Sequence, residues 1–218
     1  MSTPKRALFL WGGMDFHDPR QTSELFGGLL RDRGYNVQLE QDLDILLDRD
    51  RLAATDLIVM AITGGKITDE QEAGLLGAIR SGTGLDGWHG GLADAFRDRI
   101  TYQYAVGGQW VAHPGDLREY PVQITASDDP IMDGVNDFEM RRSEQYYMHV
   151  DPAIEVLATT TFDGAYDDWV KGVVMPVAWR KRYGAGKVFY CSIGHTVADF
   201  DTPEARTITE RGLVWATR

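Results

Sequence analysis

Apolar residues in the first half of the chain come in two alternating patterns, short continuous runs and sets spaced at helical intervals. Arg6–Trp11 is a short apolar run ending in Gly12–Gly13, as a buried strand entering a loop would be. Asp18 and Pro19 read as the cap and first turn of a helix running to about Arg33. Leu25, Leu29 and Leu30 form its apolar side, and Gly34 is placed to end it. Asn36–Gln41 alternates as a second strand, Leu43–Leu52 reads as a short helix, and Asp56–Ile62 is the clearest buried strand of the chain. Thr68–Ser81 carries the capping-box pair Thr68 and Gln71, with Leu75, Leu76 and Ile79 as its apolar face. Gly82–Gly91 reads as a glycine-rich turn around His89, followed by helix-like Leu92–Phe96. This alternation predicts an α/β fold, a parallel sheet flanked by helices.

The second half changes character. Tyr120–Thr125, Phe138–Arg141, Ile154–Phe162, Val174–Arg180 and Lys187–Ser192 all read as strands, and helices are scarce until Thr202–Ala216. Mixed or antiparallel strands added to the parallel core account for this. No repeat or linker interrupts the 218 residues, so a single domain over 1–218 is expected. Ligands of such sheets bind beyond the carboxyl ends of the strands. The loops after Trp11, Ile62, Trp88 and Ser192 are therefore where a site is expected.

Composition narrows the function classes. The net charge is -11, with no stripe of Lys and Arg, which argues against nucleic-acid binding. The apolar run Ala7–Trp11 is too brief for a signal sequence, and no run approaches a membrane span, so a cytoplasmic protein without a membrane partner is expected. The single cysteine, Cys191, lies among strand residues and reads as a buried side chain rather than a nucleophile. No phosphate-loop pattern is present, and no nucleotide cofactor is expected. A homodimer is compatible with the chain, although no interface signature places it.

The candidate chemistry is histidine chemistry. The five histidines, His17, His89, His113, His149 and His195, lie at strand ends or in Gly- and Pro-bearing loops. That placement points to a shared pocket, and imidazole serves both acid and base roles near neutral pH. Gly87-x-His89-x-Gly91 has the spacing of a nucleophile elbow, the sharp strand-to-helix turn that presents one side chain. A histidine there suits proton transfer, substrate hydrogen bonding or metal ligation better than acyl chemistry. Glu144-Gln145-Tyr146-Tyr147-x-His149, read as one strand, puts Glu144 and Tyr146 on one face and His149 on the other. Trp88, Trp110 and Trp179 are candidates for a wall on which a sugar ring stacks. Asp15, Asp18, His17, His89 and His113 offer ligands for a divalent metal such as zinc, without any H-E-x-x-H or C-x-x-C spacing.

Several blocks together resemble the ThuA-like (trehalose-utilisation) family. They are Gly87-Trp88-His89-Gly90-Gly91 through Asp94 and Phe96, Gly107-Gly108-Gln109-Trp110 to His113-Pro114, Asp128-x-Pro130-Ile131, and Glu144-Gln145-Tyr146-Tyr147. Pro176-Val177-Ala178-Trp179 to Tyr190 and Gly194-His195 follow in order. The resemblance implies a flavodoxin-like fold of the class I glutamine amidotransferase type, and work on trehalose-type disaccharides, glycosides or their keto forms. It does not imply amidotransferase activity, because His89 stands where the amidotransferase cysteine would fall. Two positions depart from the family's pattern: Asp86 replaces an apolar strand residue, and Trp110 replaces a phenylalanine. On this reading His89, His195, Glu144 and His149 are the catalytic candidates. His17, Asp18, Gln109, His113, Tyr146 and Trp179 are candidates for holding the sugar, and His17, His89 and His113 for holding a metal. A metal-dependent hydrolase and a non-catalytic sugar-binding module stay open as alternatives.

Overall fold

A computed structural model describes residues 3–218. The first half runs β1 (Arg6–Gly12), α1 (Pro19–Asp32), β2 (Asn36–Glu40), α2 (Arg49–Ala53), β3 (Leu57–Ile62), α3 (Asp69–Arg80), β4 (Gly84–Trp88) and a single turn, α4 (Gly90–Ala93). Then come α5 (Ile100–Val106), β5 (Gly108–Ala112), β6 (Leu117–Ile124), β7 (Phe138–Glu144) and β8 (Tyr147–Val150). The chain finishes with β9 (Glu155–Thr161), β10 (Val174–Tyr183), β11 (Gly186–Cys191) and α6 (Pro203–Ala216).

Nine strands form one sheet in the order β2-β1-β3-β4-β11-β10-β9-β6-β7. The first five of that order are parallel, and β10, β9, β6 and β7 continue antiparallel. The expected α/β architecture, with antiparallel strands contributed by the C-terminal half, is the one that forms. Apolar side chains pack on both faces of the sheet. One layer includes Leu75, Ile79, Leu85 and Trp179, and the other includes Phe9, Phe26, Trp88, Phe189 and Leu213. Burial on both faces explains why β3 reads as an unbroken apolar run. The order also sets the carboxyl ends of β1, β3, β4 and β11 side by side.

Several expectations are corrected. The Leu43–Leu52 helix is split into a 3-10 turn over Leu43–Leu47 and α2, because Asp42 caps the first (its carboxylate accepts from the Asp44 N–H) and Asp48 restarts the second by accepting from the Arg51 N–H. Half of the glycine-rich stretch 82–91 is strand β4, not turn. A Cβ on Gly84 would lie 2.2 Å from the Ala216 carbonyl, so glycine there admits the C-terminal chain against a central strand. Asp18 sits before α1 but makes no side-chain cap; its backbone is left-handed, with φ 48°. Finally, Glu144 and His149 are not on one strand. Glu144 ends β7, and after two intervening residues the chain joins β5 as β8, in a separate two-stranded ribbon.

Candidate active site

His89 follows directly on β4, an interior strand of the parallel set that lies between β3 and β11. Its backbone has φ 52° and ψ -136°, outside the regions open to ordinary L-residues, at a cost of about 1–3 kcal/mol. Neighbouring groups hold it there. Its N–H donates to the Cys191 carbonyl at 2.7 Å, and its carbonyl accepts from the Tyr190 hydroxyl at 2.9 Å. Its ring stacks on Tyr146 with centroids 4.2 Å apart. The flanking glycines are required by close packing. A Cβ on Gly87 would meet the Met60 carbonyl at 2.7 Å, and one on Gly91 would meet Ala61 Cα and the Met60 carbonyl at 2.9 Å. We expect Gly91→Ala to cost about 1–3 kcal/mol by overpacking against β3, read as a lower denaturant midpoint at unchanged slope.

Three imidazoles and one carboxylate converge at this elbow. One ligand atom from each of His17, His89, His195 and Glu144 lies within 4.8 Å of every other. His17 comes from the 3-10 turn after β1, His195 from the loop after β11, and Thr63 from the end of β3, so all four expected loops contribute. Glu144 arrives from the far edge strand β7. Its Oε2 is 3.1 Å from His89 Nε2, and its Oε1 is 3.3 Å from His195 Nδ1.

Hydrogen bonds fix which ring atom faces the cluster. His89 Nδ1 is 2.9 Å from the Ser192 carbonyl, which can only accept, so Nδ1 carries a hydrogen and Nε2 is turned to Glu144. His17 Nδ1 is held by Thr63 Oγ1 at 2.8 Å. His89 Nε2 and His195 Nδ1 are buried and close to the carboxylate, yet neither is aligned for a regular hydrogen bond.

The electrostatics follow from burial and crowding. Burial, then the neighbouring His89 and His195, push the His17 pKa down to about 3, so this ring is neutral at neutral pH. Burial favours the protonated form of Glu144, but His195 and His89 outweigh it and hold the carboxyl well below the usual range. Burial likewise opposes charge on His195; the Glu144 carboxylate outweighs it, with help from Asp199 and Asp18, and raises its pKa. The arrangement therefore sets around the His89 nitrogen a carboxylate, a His195 whose protonated form that carboxylate favours, and a neutral His17.

The other expected residues take different places. His113 stands at the rim, with Nε2 3.9 Å from Glu144 Oε1 and its ring stacked on Trp110 at 5.4 Å. The four-residue group thus contains His195 where the metal expectation had His113, because the Trp110 stack and Asp116, 3.3 Å from Nδ1, hold His113 beyond the carboxylate. Asp18 spends one carboxylate oxygen on the Val197 N–H, tying α1 to the His195 loop. His149 is exposed, opposite Gln109 in the β5–β8 ribbon, and is not part of the cluster; the end of β7 at Glu144 and the switch to the ribbon turn it away. Trp179 is wholly buried. It packs on Tyr190 and donates to the Val106 carbonyl, so it is core and offers no face to a sugar. Trp88 is likewise buried, against Phe26.

Sequence reasoning missed Asp199. Its buried Oδ2 accepts from Ser143 Oγ at 2.6 Å, from the His195 N–H at 2.8 Å and from the Gly194 N–H at 3.2 Å. It joins the strand bearing Glu144 to the loop bearing His195, and nothing in the local pattern marks it. Phe16 was also missed. It is 62% exposed, with its ring 4.5 Å from that of His17 at the cluster's outer side.

A family model described as ThuA, trehalose utilisation, matches residues 6–216. The chain belongs to the ThuA family. Solved structures agree at the level of fold. A putative ThuA-like protein from Parabacteroides merdae is 18% identical, covering 98% of this chain and 90% of its own length, with a TM-score of 0.79. A second, from Bacteroides uniformis, is 16% identical, covers 99% and 93%, and has a TM-score of 0.82. A β-galactosidase from Bacillus circulans sp. alkalophilus shares the fold over 30% of its length and 98% of this chain, with 15% identity and a TM-score of 0.55. No curated protein matches the sequence. Within this ThuA-family chain, no helix among the described residues is long and apolar enough to cross a membrane.

Proposed function

We propose that this ThuA-family chain is an enzyme acting on a disaccharide, a glycoside or its keto derivative by acid–base chemistry at the His89 elbow. The observation that supports this most directly is the orientation of His89. Its Nδ1–H is committed to the Ser192 carbonyl, and its Nε2 stands 3.1 Å from Glu144. An imidazole oriented in that way can take a proton at Nε2, for instance from carbon alpha to a ketone. The imidazolium so formed is stabilised by the adjacent carboxylate. His195, with its raised pKa, is placed to return a proton to an oxygen, and neutral His17 accepts or donates a hydrogen bond without adding charge. Turnover of a panel of disaccharides, glycosides and their keto forms by the wild-type chain tests this. A panel with no turnover retires it in favour of a sugar-binding module.

A second reading, a metal-dependent hydrolase, is favoured by one specific feature. His89 and His17 each have one ring nitrogen anchored by protein oxygen and the other free for the cluster, the usual disposition of metal-ligating histidines. The misaligned buried nitrogens of His89 and His195 suit a shared cation better than a shared hydrogen bond. His17, His89, His195 and Glu144 fit a divalent ion such as zinc. When bound, it would supply Lewis-acid polarisation or a low-pKa water. Chelator-treated protein titrated with Zn²⁺ or Mn²⁺ is expected to gain about 3 kcal/mol of stability at a hundredfold excess over Kd. The Glu144→Gln variant should lose most of that gain. An unchanged melting curve removes the metal reading and leaves the proton-transfer reading intact.

A further inference from the structure

Glu144 is the one member of the cluster that does not follow a strand of the parallel set. It ends β7, the edge strand, which is paired with β6 alone. The register slips just before it. Ser143 faces Arg118 and Met140 faces Tyr120, so Arg141 and Arg142 share Glu119 as a partner. A bulged edge strand is by itself a loose support for a carboxylate that meets two imidazoles at 3.1 and 3.3 Å. The residues on either side of Glu144 supply what the ladder does not. Gln145 donates through Nε2 to Thr160 Oγ1 on β9 at 2.7 Å, which holds this end of the strand to the sheet. Ser143 donates through Oγ to Asp199 Oδ2 at 2.6 Å, which holds it to the loop that carries His195. Among the described residues, this is the one hydrogen bond from β7 to residues 192–202.

Asp199 is well fixed for that task. It lies in a 3-10 turn, Val197–Asp201, and its own N–H donates to the Thr196 carbonyl at 3.1 Å. The next residue, Phe200, is buried, with its ring 4.7 Å from that of Phe26 and 6.0 Å from that of Trp88, so the turn is moored in the core. From there Oδ2 also accepts from the Gly194 and His195 N–H groups. Gly194 has φ 128°, and a Cβ on it would lie 2.8 Å from both Phe200 and Trp88. Glycine there lets the backbone curl tightly enough for two successive N–H groups to reach one oxygen. That oxygen therefore bonds the backbone of His195 on one side and the residue preceding Glu144 on the other. Hydrogen bonds to a carboxylate are stronger than those between neutral groups, and here they flank the 3.3 Å approach of Glu144 Oε1 to His195 Nδ1.

We propose that Asp199 is the positioning residue of the site: through Ser143 and the His195 backbone it sets the separation between the Glu144 carboxylate and the His195 imidazole. Its effect on turnover rests on the acid–base reading above; its effect on geometry does not. Two variants of the full chain test it. Ser143→Ala deletes only the arm to β7 and leaves both loop N–H groups satisfied. Asp199→Asn keeps a carbonyl oxygen for those groups and removes the charge. In crystal structures, each is expected to widen the Oε1–Nδ1 separation by about 1 Å, a misplacement large enough to cost up to about a hundredfold in rate. On whichever sugar the wild type turns over, each should lower kcat by about ten- to a hundredfold with little change in KM. The double variant should be no worse than the more affected single one, since the two residues act as a unit. Leu213→Ala, which opens a cavity under α6, should melt earlier yet keep the wild-type kcat, which separates positioning from stability. An unchanged separation in Ser143→Ala overturns the proposal. So does a widened separation with undiminished kcat, or a loss of kcat that Leu213→Ala reproduces. If the wild type turns over no sugar, the acid–base reading falls by itself, and the separation measured in Ser143→Ala still decides: widened, Asp199 positions the pair; unchanged, it does not.

Discussion

Replacing His89 with glutamine is expected to lower kcat on the cognate sugar by about a thousandfold, with little change in KM. A positioned general base contributes roughly a hundred- to ten-thousandfold. His89 is anchored at Nδ1 by the Ser192 carbonyl, which turns its Nε2 toward the Glu144 carboxylate 3.1 Å away. Glutamine retains polar reach but cannot take the proton. Glu144→Gln should cost a comparable factor, because the imidazolium formed at His89 and the proton on His195 would both lose their counter-charge. The double variant should then be little worse than either single one, since the two residues act as a unit. Steady-state kinetics, with circular dichroism to confirm folding, provide the check. Full turnover in folded His89→Gln would end the acid–base reading.

The second large effect concerns stability and lies three residues upstream. Asp86 is wholly buried on β4, flanked in register by Val59 and Phe189, and neither carboxyl oxygen has a hydrogen-bond partner. Burial raises its pKa well above the ordinary carboxylate value. The group is therefore neutral in the fold at pH values where it ionises in the unfolded chain. Its contribution is fully present below the ordinary carboxylate pKa and is lost as pH rises toward the raised value. Asp86→Asn and Asp86→Val should both remove this slope. Each should stabilise the protein at neutral pH by about 1–3 kcal/mol, a rise of several degrees in melting temperature for a chain of this size. The gain should shrink toward pH 4. Urea unfolding across pH 4–8 measures it, and a gain independent of pH would contradict the buried neutral acid. An apolar residue is what the family resemblance leads one to expect at this position.

Local pattern alone was enough for much of the parallel half of the fold, β4 excepted, because β3, α1 and α3 carry strong periodicity or caps that depend only on near neighbours. It was also enough to nominate the four loops and the elbow histidine, since strand ends in a parallel sheet collect at one edge. Glu144 and His195 were named from composition and resemblance. That they meet depends on β7, at the opposite edge of the nine-stranded sheet from β2, bringing its end back to the elbow. The β5–β8 ribbon, the short strand β4 and Asp199 were not legible. Ribbon pairing is a contact between residues far apart in sequence, a glycine-rich central strand looks like a turn until its packing is known, and an acid's hydrogen-bond partners leave no local trace. The same reason separates His149 and Trp179 from the site. Both stand close in sequence to residues of the cluster or of the family blocks, but the face each side chain takes was decided by strand pairing and core packing, which only the tertiary structure sets.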